Sequence, residues 1–256
     1  MDRLQRIIGG RSIGLLLHGA SVKAMETGIQ EVGYGDMCWA SLNYFTLLEK
    51  QILGRIGDRL SIIAMFSEQS LARRHKDIIQ FLKRPEDNLL ITSSFILNNI
   101  PDYQTFIRLF RDKIYLTEGL PVPWEAERKA NSVALLLNEL VASGVNKINI
   151  FGMDGIGKGP TAMQEKQSYC YSPTIFQPGR FTSIRKDTVD FNKAFPKVLA
   201  YWKARNFSPE IINYNQQSYI KVFPRRKWMY ENWDWGIVLC AATALSNSTL
   251  FNAVCT

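Results

Sequence analysis

Short, almost wholly apolar runs recur along this chain, each separated from the next by a longer amphipathic stretch, and that alternation limits the fold more than any other feature. Ile13 to Leu17 carries no polar side chain, as a strand must when both of its faces are covered. Asp36 to Ala40, Leu60 to Phe66, Asn88 to Thr92, Lys113 to Leu116, Val145 to Phe151 and Glu210 to Tyr214 repeat the pattern at strand length. Between them, residues 22–30, 44–53, 69–82, 103–111, 125–143 and 188–205 read as helices, and a charged N-terminal turn reads as a helix feeding the first strand. The clearest is Glu125 to Ser143, where Val133, Leu136, Leu137, Leu140 and Val141 recur at helical spacing and Gly144 supplies the C-cap. Strands that alternate with helices in this way predict an α/β fold: a mostly parallel sheet with right-handed crossovers, flanked by helices.

The chain has 256 residues, which fits one large domain over residues 1–224 followed by a C-terminal extension, 225–256. Trp228, Tyr230, Trp233 and Trp235 crowd into the start of that extension, which suits a packed appendage, with a homo-oligomer contact or a membrane-surface element as the other readings. No apolar run reaches the roughly 18 residues of a membrane-spanning helix, and the longest, Gly236 to Leu245, stops well short. Asp2, Arg3, Arg6 and Arg11 interrupt any signal-peptide core. The four cysteines show no close pair and no metal-ligand spacing, and two histidines do not make a zinc site. A reducing, cytoplasmic setting and no resident metal are therefore expected.

The net charge of +8 attracts phosphate groups. The bases are scattered, however, and the densest clusters, Pro224 to Trp228 and Ala72 to Lys76, form no basic stripe with interleaved aromatics. An anionic small molecule is the expected partner and nucleic acid is not.

In an open parallel sheet, ligands bind beyond the carboxyl ends of the strands. Four places there carry small or polar residues. His18-Gly-Ala-Ser21 follows the first apolar run, with Ser21 as ligand hydroxyl or helix cap and His18 as phosphate contact, acid–base group or buried imidazole. Ser41-Leu-Asn43 ends the second run, and Ala130-Asn-Ser132 precedes the apolar part of the long helix. In Gly152-Met-Asp154 a carboxylate follows a buried strand directly, which is costly unless it meets a hydroxyl, an amide or a metal. Gly152 to Lys158 also fits the G-x-x-x-x-G-K frame of a phosphate loop, but Gly159 stands where the magnesium-binding hydroxyl belongs and Pro160 follows, so the match reads as chance. Residues 155–186, rich in Gly, Pro, Ser and Tyr, read as a loop or lid.

The run Leu15-Leu-Leu-His-Gly-Ala-Ser-Val-Lys-Ala-Met-Glu26 resembles the first strand and Gly-Pro-Ser loop of a Rossmann-like superfamily. That superfamily includes bacterial CMP-sialic-acid-dependent sialyltransferases, motility-accessory-factor-type glycosyltransferases and hydroxymethylpterin diphosphokinase-like proteins. Glu127 to Leu135 and Gly144 to Asp154 are similar to its central helix, strand and Gly-x-Asp turn, and Ile212-Asn213, Ser218 and Phe223-Pro224 to its final strand and exit. The resemblance implies that Gly19, Ala20 and Ser21 cradle the nucleotide phosphate, that Ser41 or Asn43 touches nucleotide or sugar, and that Asn131 and Ser132 contact the donor. It further implies Gly152 and Asp154 on the ribose or base side and Tyr169 or Tyr171 reaching phosphate. The expected activity is transfer from a nucleotide sugar such as a CMP-sugar to a carbohydrate, with Asp154 and His18 as the catalytic candidates. The alternatives are an ATP- and Mg2+-dependent diphosphokinase with a pterin-like acceptor, or a nucleotide-binding module without activity. Two positions depart from the pattern: Ala20 replaces the usual proline, and Arg185-Lys-Asp187 stands where the sialyltransferase general-base histidine is expected.

Overall fold

β1 (Ser12–Leu16) lies inside the sheet with a parallel neighbour on each side, which is where a strand with no polar face has to go. The computed structural model describes residues 2–17, 37–43, 59–98, 100, 102–117, 132–154, 180–215 and 218–225, all within the first of the two units into which the chain divides, Met1–Arg226. The expected helices at 22–30 and 44–53, and the extension beyond Arg225, lie outside the described residues.

Among the described residues β2 (Met37–Leu42), β3 (Leu60–Ala64), β4 (Leu89–Thr92), β5 (Ile114–Leu116), β6 (Lys147–Phe151) and β7 (Glu210–Asn213) complete a seven-stranded sheet in the order β5-β4-β3-β2-β1-β6-β7. Every pairing is parallel. The chain therefore builds outward from β1 to β5, crosses back over the sheet and resumes at β6 on the other side of β1. The helices are α1 (Arg3–Ile8), α2 (Glu68–Leu82), α3 (Ser94–Leu97), α4 (Tyr103–Phe110), α5 (Ser132–Ala142) and α6 (Arg180–Ala204). This is the Rossmann-like α/β architecture that the sequence predicts.

Local chemistry fixes several ends. Asp2 and Gln5 form a reciprocal capping box at the start of α1, and Arg11 returns its guanidinium to the carbonyls of Ile7 (2.6 Å) and Ile8 (3.0 Å) at its end. α5 stops at Gly144, which adopts a φ of 88°, while the Val145 amide reaches back to the Leu140 carbonyl, as its sequence position predicts.

One face of the sheet buries Ile13, Leu15, Cys38, Ala40, Ile148 and Ile150 in a single cluster with residues of α1, α5 and α6. α6 begins at Arg180 and not at Thr188 as expected, so the loop reading of 155–186 is corrected for its last seven residues. The missed signal is spacing: Phe181, Ile184, Thr188, Phe191, Phe195, Val198 and Trp202 follow one another at alternating intervals of three and four, a helix period that survives the polar residues between them. Phe191, Phe195, Val198 and Trp202 are all buried, each contributing about 1.5–3 kcal/mol, and the Trp202 indole N–H donates to Asn138 Oδ1 at 3.0 Å, so no polar atom of that ring is stranded. α2 buries Leu71, Ile78, Phe81 and Leu82, none of which belongs to this cluster.

On the second face a row of rings crosses the strands. Trp39 of β2 lies 5.8 Å from Phe151 of β6, which stacks on Tyr214 at 5.0 Å. β1 runs between Trp39 and Phe151, and its residue opposite Trp39 is Gly14. A β-carbon at Gly14 would sit 2.4 Å from the Trp39 ring, so glycine is required there for space. Gly14→Ala is expected to lower the unfolding free energy by about 1–3 kcal/mol in urea titration, through overpacking; an unchanged midpoint would show that the indole has room to move.

Burial pushes the Cys38 thiol up from 9.0 to about 11, against smaller opposing effects from the Arg11 charge and a hydrogen bond with Ser61. The folded state thus prefers the neutral thiol. Its contribution is complete below pH 9.0 and is lost as the pH rises towards about 11, where the folded thiol ionises too. Over that window the unfolding free energy of the wild type should fall by about 2–3 kcal/mol more than that of Cys38→Ala. Parallel pH profiles for the two proteins would contradict this.

Candidate functional site

The ends of the parallel strands form one level rim, because a backbone bond continues each ladder past the strand. The Leu17 amide donates to the Phe151 carbonyl at 2.8 Å, Asn43 to Ala64 at 2.8 Å, Met65 to Ile91 at 2.8 Å and Tyr214 to Ile150 at 2.9 Å. The direction of building reverses between β1 and β6. That reversal is where an open parallel sheet offers a crevice to a ligand.

The two chain segments that meet there are the end of β1 and the turn after β6. Leu17, the residue before His18, lies at this rim beside Phe151. His18, Gly19, Ala20 and Ser21 are outside the described residues, as are Asn131, Tyr169 and Tyr171. Gly152, Met153 and Asp154 follow β6 immediately. Gly152 has a φ of 78°, a left-handed conformation that glycine adopts without a steric penalty and that turns the chain off the strand.

Four groups from the exit of β7 hold this turn. Asn213 donates Nδ2 to the Met153 carbonyl at 3.0 Å, and the Ser218 hydroxyl meets the Met153 carbonyl and, at 3.1 Å, that of Asp154. The Tyr219 amide adds a bond to the Asp154 carbonyl at 2.7 Å. Asn215 donates Nδ2 to Asp154 Oδ1 at 2.6 Å. Asp154 is partly exposed at the rim, with this strap against its carboxylate. The strap is itself anchored: Asn192 of α6 donates to the Tyr219 carbonyl at 2.9 Å and accepts from the Lys221 amide at 2.8 Å, and Arg225 donates to the Ser218 carbonyl at 3.1 Å.

The other described candidates occupy the same rim in different ways. Ser41 is inside β2 and not after it, paired with Leu16 and Ile63 and fully buried. Asn43 adopts a φ of 59° and accepts the Phe66 amide on Oδ1 at 2.9 Å, which ties the end of β2 to the end of β3. Ser132 opens α5, an 11-residue helix about 16 Å long that leads into the amino end of β6. The helix therefore runs back against the strands, and its first turn lies on the carboxyl side of the sheet. The 185–187 segment, expected just before a helix, lies within the first turns of α6.

Asn215 was not among the candidates read from the sequence, although Asn213-Tyr-Asn215 directly after an apolar strand is a readable polar signal. No cluster of three or more potential metal ligands occurs among the described residues.

No family model and no curated protein matches the chain by sequence. Among solved structures, the fold is similar to that of the monofunctional alpha-2,3-sialyltransferase Cst-I from Campylobacter jejuni, with a TM-score of 0.50 and 14% identity over 94% of this chain and 96% of that one. The likeness is one of fold: a Rossmann-like sheet carried over nearly the whole of both chains.

Ser218→Ala removes the hydroxyl that meets the two turn carbonyls and accepts the Ile220 amide at 3.0 Å. It should cost about 1–3 kcal/mol, since buried groups lose their partners. Urea denaturation would show a lower midpoint with the same slope; an unchanged midpoint would mean that the strap does not hold the turn.

Proposed function

We propose that the chain is a glycosyltransferase-like enzyme that binds a nucleotide sugar, with a sialyltransferase-like donor site at the β1–β6 reversal. The observation that carries the reading is the placement of Asp154: the turn after β6 brings a partly exposed carboxylate to the rim beside the end of β1, where the His18–Ser21 segment begins. The similar fold of a sialyltransferase adds support for a nucleotide-sugar donor and a carbohydrate acceptor.

In this reading the segment after β1 receives the phosphate through Gly19, Ala20 and Ser21, and Asn131 and Ser132 contact the donor. Asp154 accepts hydrogen bonds from donor hydroxyls, and Gly152 lets the chain approach them closely. Tyr169 or Tyr171 reaches the phosphate. Lys and Arg side chains stabilise the departing nucleotide as charge develops on it. His18 is the imidazole nearest in sequence to this rim and serves as acid–base group or phosphate contact. No helix among the described residues is long and apolar enough to cross a membrane.

The test is a thermal-shift panel of CMP, UDP, GDP and ATP, each with and without Mg2+. A cytidine nucleotide at about 100 times its dissociation constant should stabilise the protein by about 2.7 kcal/mol, roughly 5–10 °C at this chain length, without metal. Asp154→Ala should abolish the shift and leave the unliganded melting point nearly unchanged. A response confined to ATP with Mg2+ would replace this reading with the diphosphokinase one, and no response at all would overturn it.

A further inference from the structure

We infer that Asn215 is a positioning residue for Asp154: its side-chain amide helps to set the direction of the carboxylate that the donor meets. The inference rests on the proposed donor site and goes beyond it by naming a group that helps to set its geometry.

Successive side chains on a strand point to opposite faces, so residues two apart share a side. Asn213 and Asn215 are two apart, and both amides reach the turn after β6, Asn213 at the Met153 carbonyl and Asn215 at the Asp154 carboxylate. Tyr214 between them points the other way. It is held twice, by its amide on the Ile150 carbonyl at 2.9 Å and by its ring stacked on Phe151 at 5.0 Å. Asn215 is thus the next residue after a locked one, and its backbone has little freedom to drift. The strap beyond it is closed by Ser218, whose carbonyl takes the Arg225 guanidinium at 3.1 Å.

The two asparagines divide the work by the atom they bind. Asn213 holds backbone, which any residue at position 153 would present. Asn215 holds a side chain, and only an acceptor at position 154 uses it. A carboxylate accepts and does not donate, so the amide must present its N–H2 to Asp154, and the short 2.6 Å separation fits a hydrogen bond to a charged acceptor. Without this bond the carboxylate loses one of the contacts that set its direction.

The test measures CMP affinity by calorimetry for the wild type, Asp154→Ala, Asn215→Leu and Asn215→Asp, with melting points for each. Asn215→Leu should weaken CMP by about 10- to 100-fold while the protein stays folded. Asn215→Asp separates positioning from scaffolding. At about pH 8 two facing carboxylates repel and binding should be as weak as in the leucine variant. At about pH 5 a shared proton restores the missing donor, and affinity should return towards the wild-type value at that pH. A loss that reflected only local packing would not recover on acidification, and this result overturns the inference. So does CMP affinity in Asn215→Leu within about 2-fold of the wild type when Asp154→Ala has lost it, with the donor-site reading intact. If Asp154→Ala binds as well as the wild type, or the wild type does not bind CMP, the reading and the inference fall together.

Discussion

The burial of β1 on both faces governs the architecture. Ile13, Leu15 and Leu16 have no exposed surface, so the chain must lay elements over both sides of the strand and pair it along both edges. A right-handed crossover places its helix on one face when the sheet grows in one direction and on the other face when it grows in the opposite direction. Covering both faces of β1 therefore requires the order to turn around at β1. The reversal follows from how a wholly apolar strand gets buried and requires no separate device.

At the carboxyl rim of the sheet, polar side chains hold the strand ends. Backbone groups at strand ends lose their ladder partners and are costly to leave unpaired away from water. Asn43 serves the Phe66 amide, Thr92 the Met65 carbonyl at 2.7 Å, and Asn213 and Ser218 the turn after β6. Asp154 differs from these, because its side chain is itself the group that is held, and it remains partly exposed. In the proposed reading, this held carboxylate meets hydroxyls of the donor. The likeness in fold to a sialyltransferase at 14% identity is consistent with how weakly such a sheet constrains sequence: apolar strands, turn glycines and helix spacing suffice.

Much of this could be read directly from residue patterns. Ile13 to Leu17 and Val145 to Phe151 announce buried strands because a doubly covered strand excludes polar residues, and strand–helix alternation then forces a parallel sheet. The Gly152–Asp154 turn is legible for the same reason, since a carboxylate straight after a buried strand needs a partner or a task. The first turns of α6 are hidden in the sequence by the Gly, Pro, Ser and Tyr just before them, which obscure the three-and-four spacing that continues into the buried Phe191, Phe195, Val198 and Trp202.

By itself the sequence determined which segments are buried, that the sheet is parallel, and that small or acidic residues follow its strands, since each is a local consequence of side-chain polarity and periodicity. Tertiary structure alone decided that β6 lies beside β1 and that Asn215, sixty-one residues from Asp154, supplies its hydrogen bond. Contacts of that separation depend on strand order and register, and these are settled by how whole layers cover one another, which no local pattern encodes.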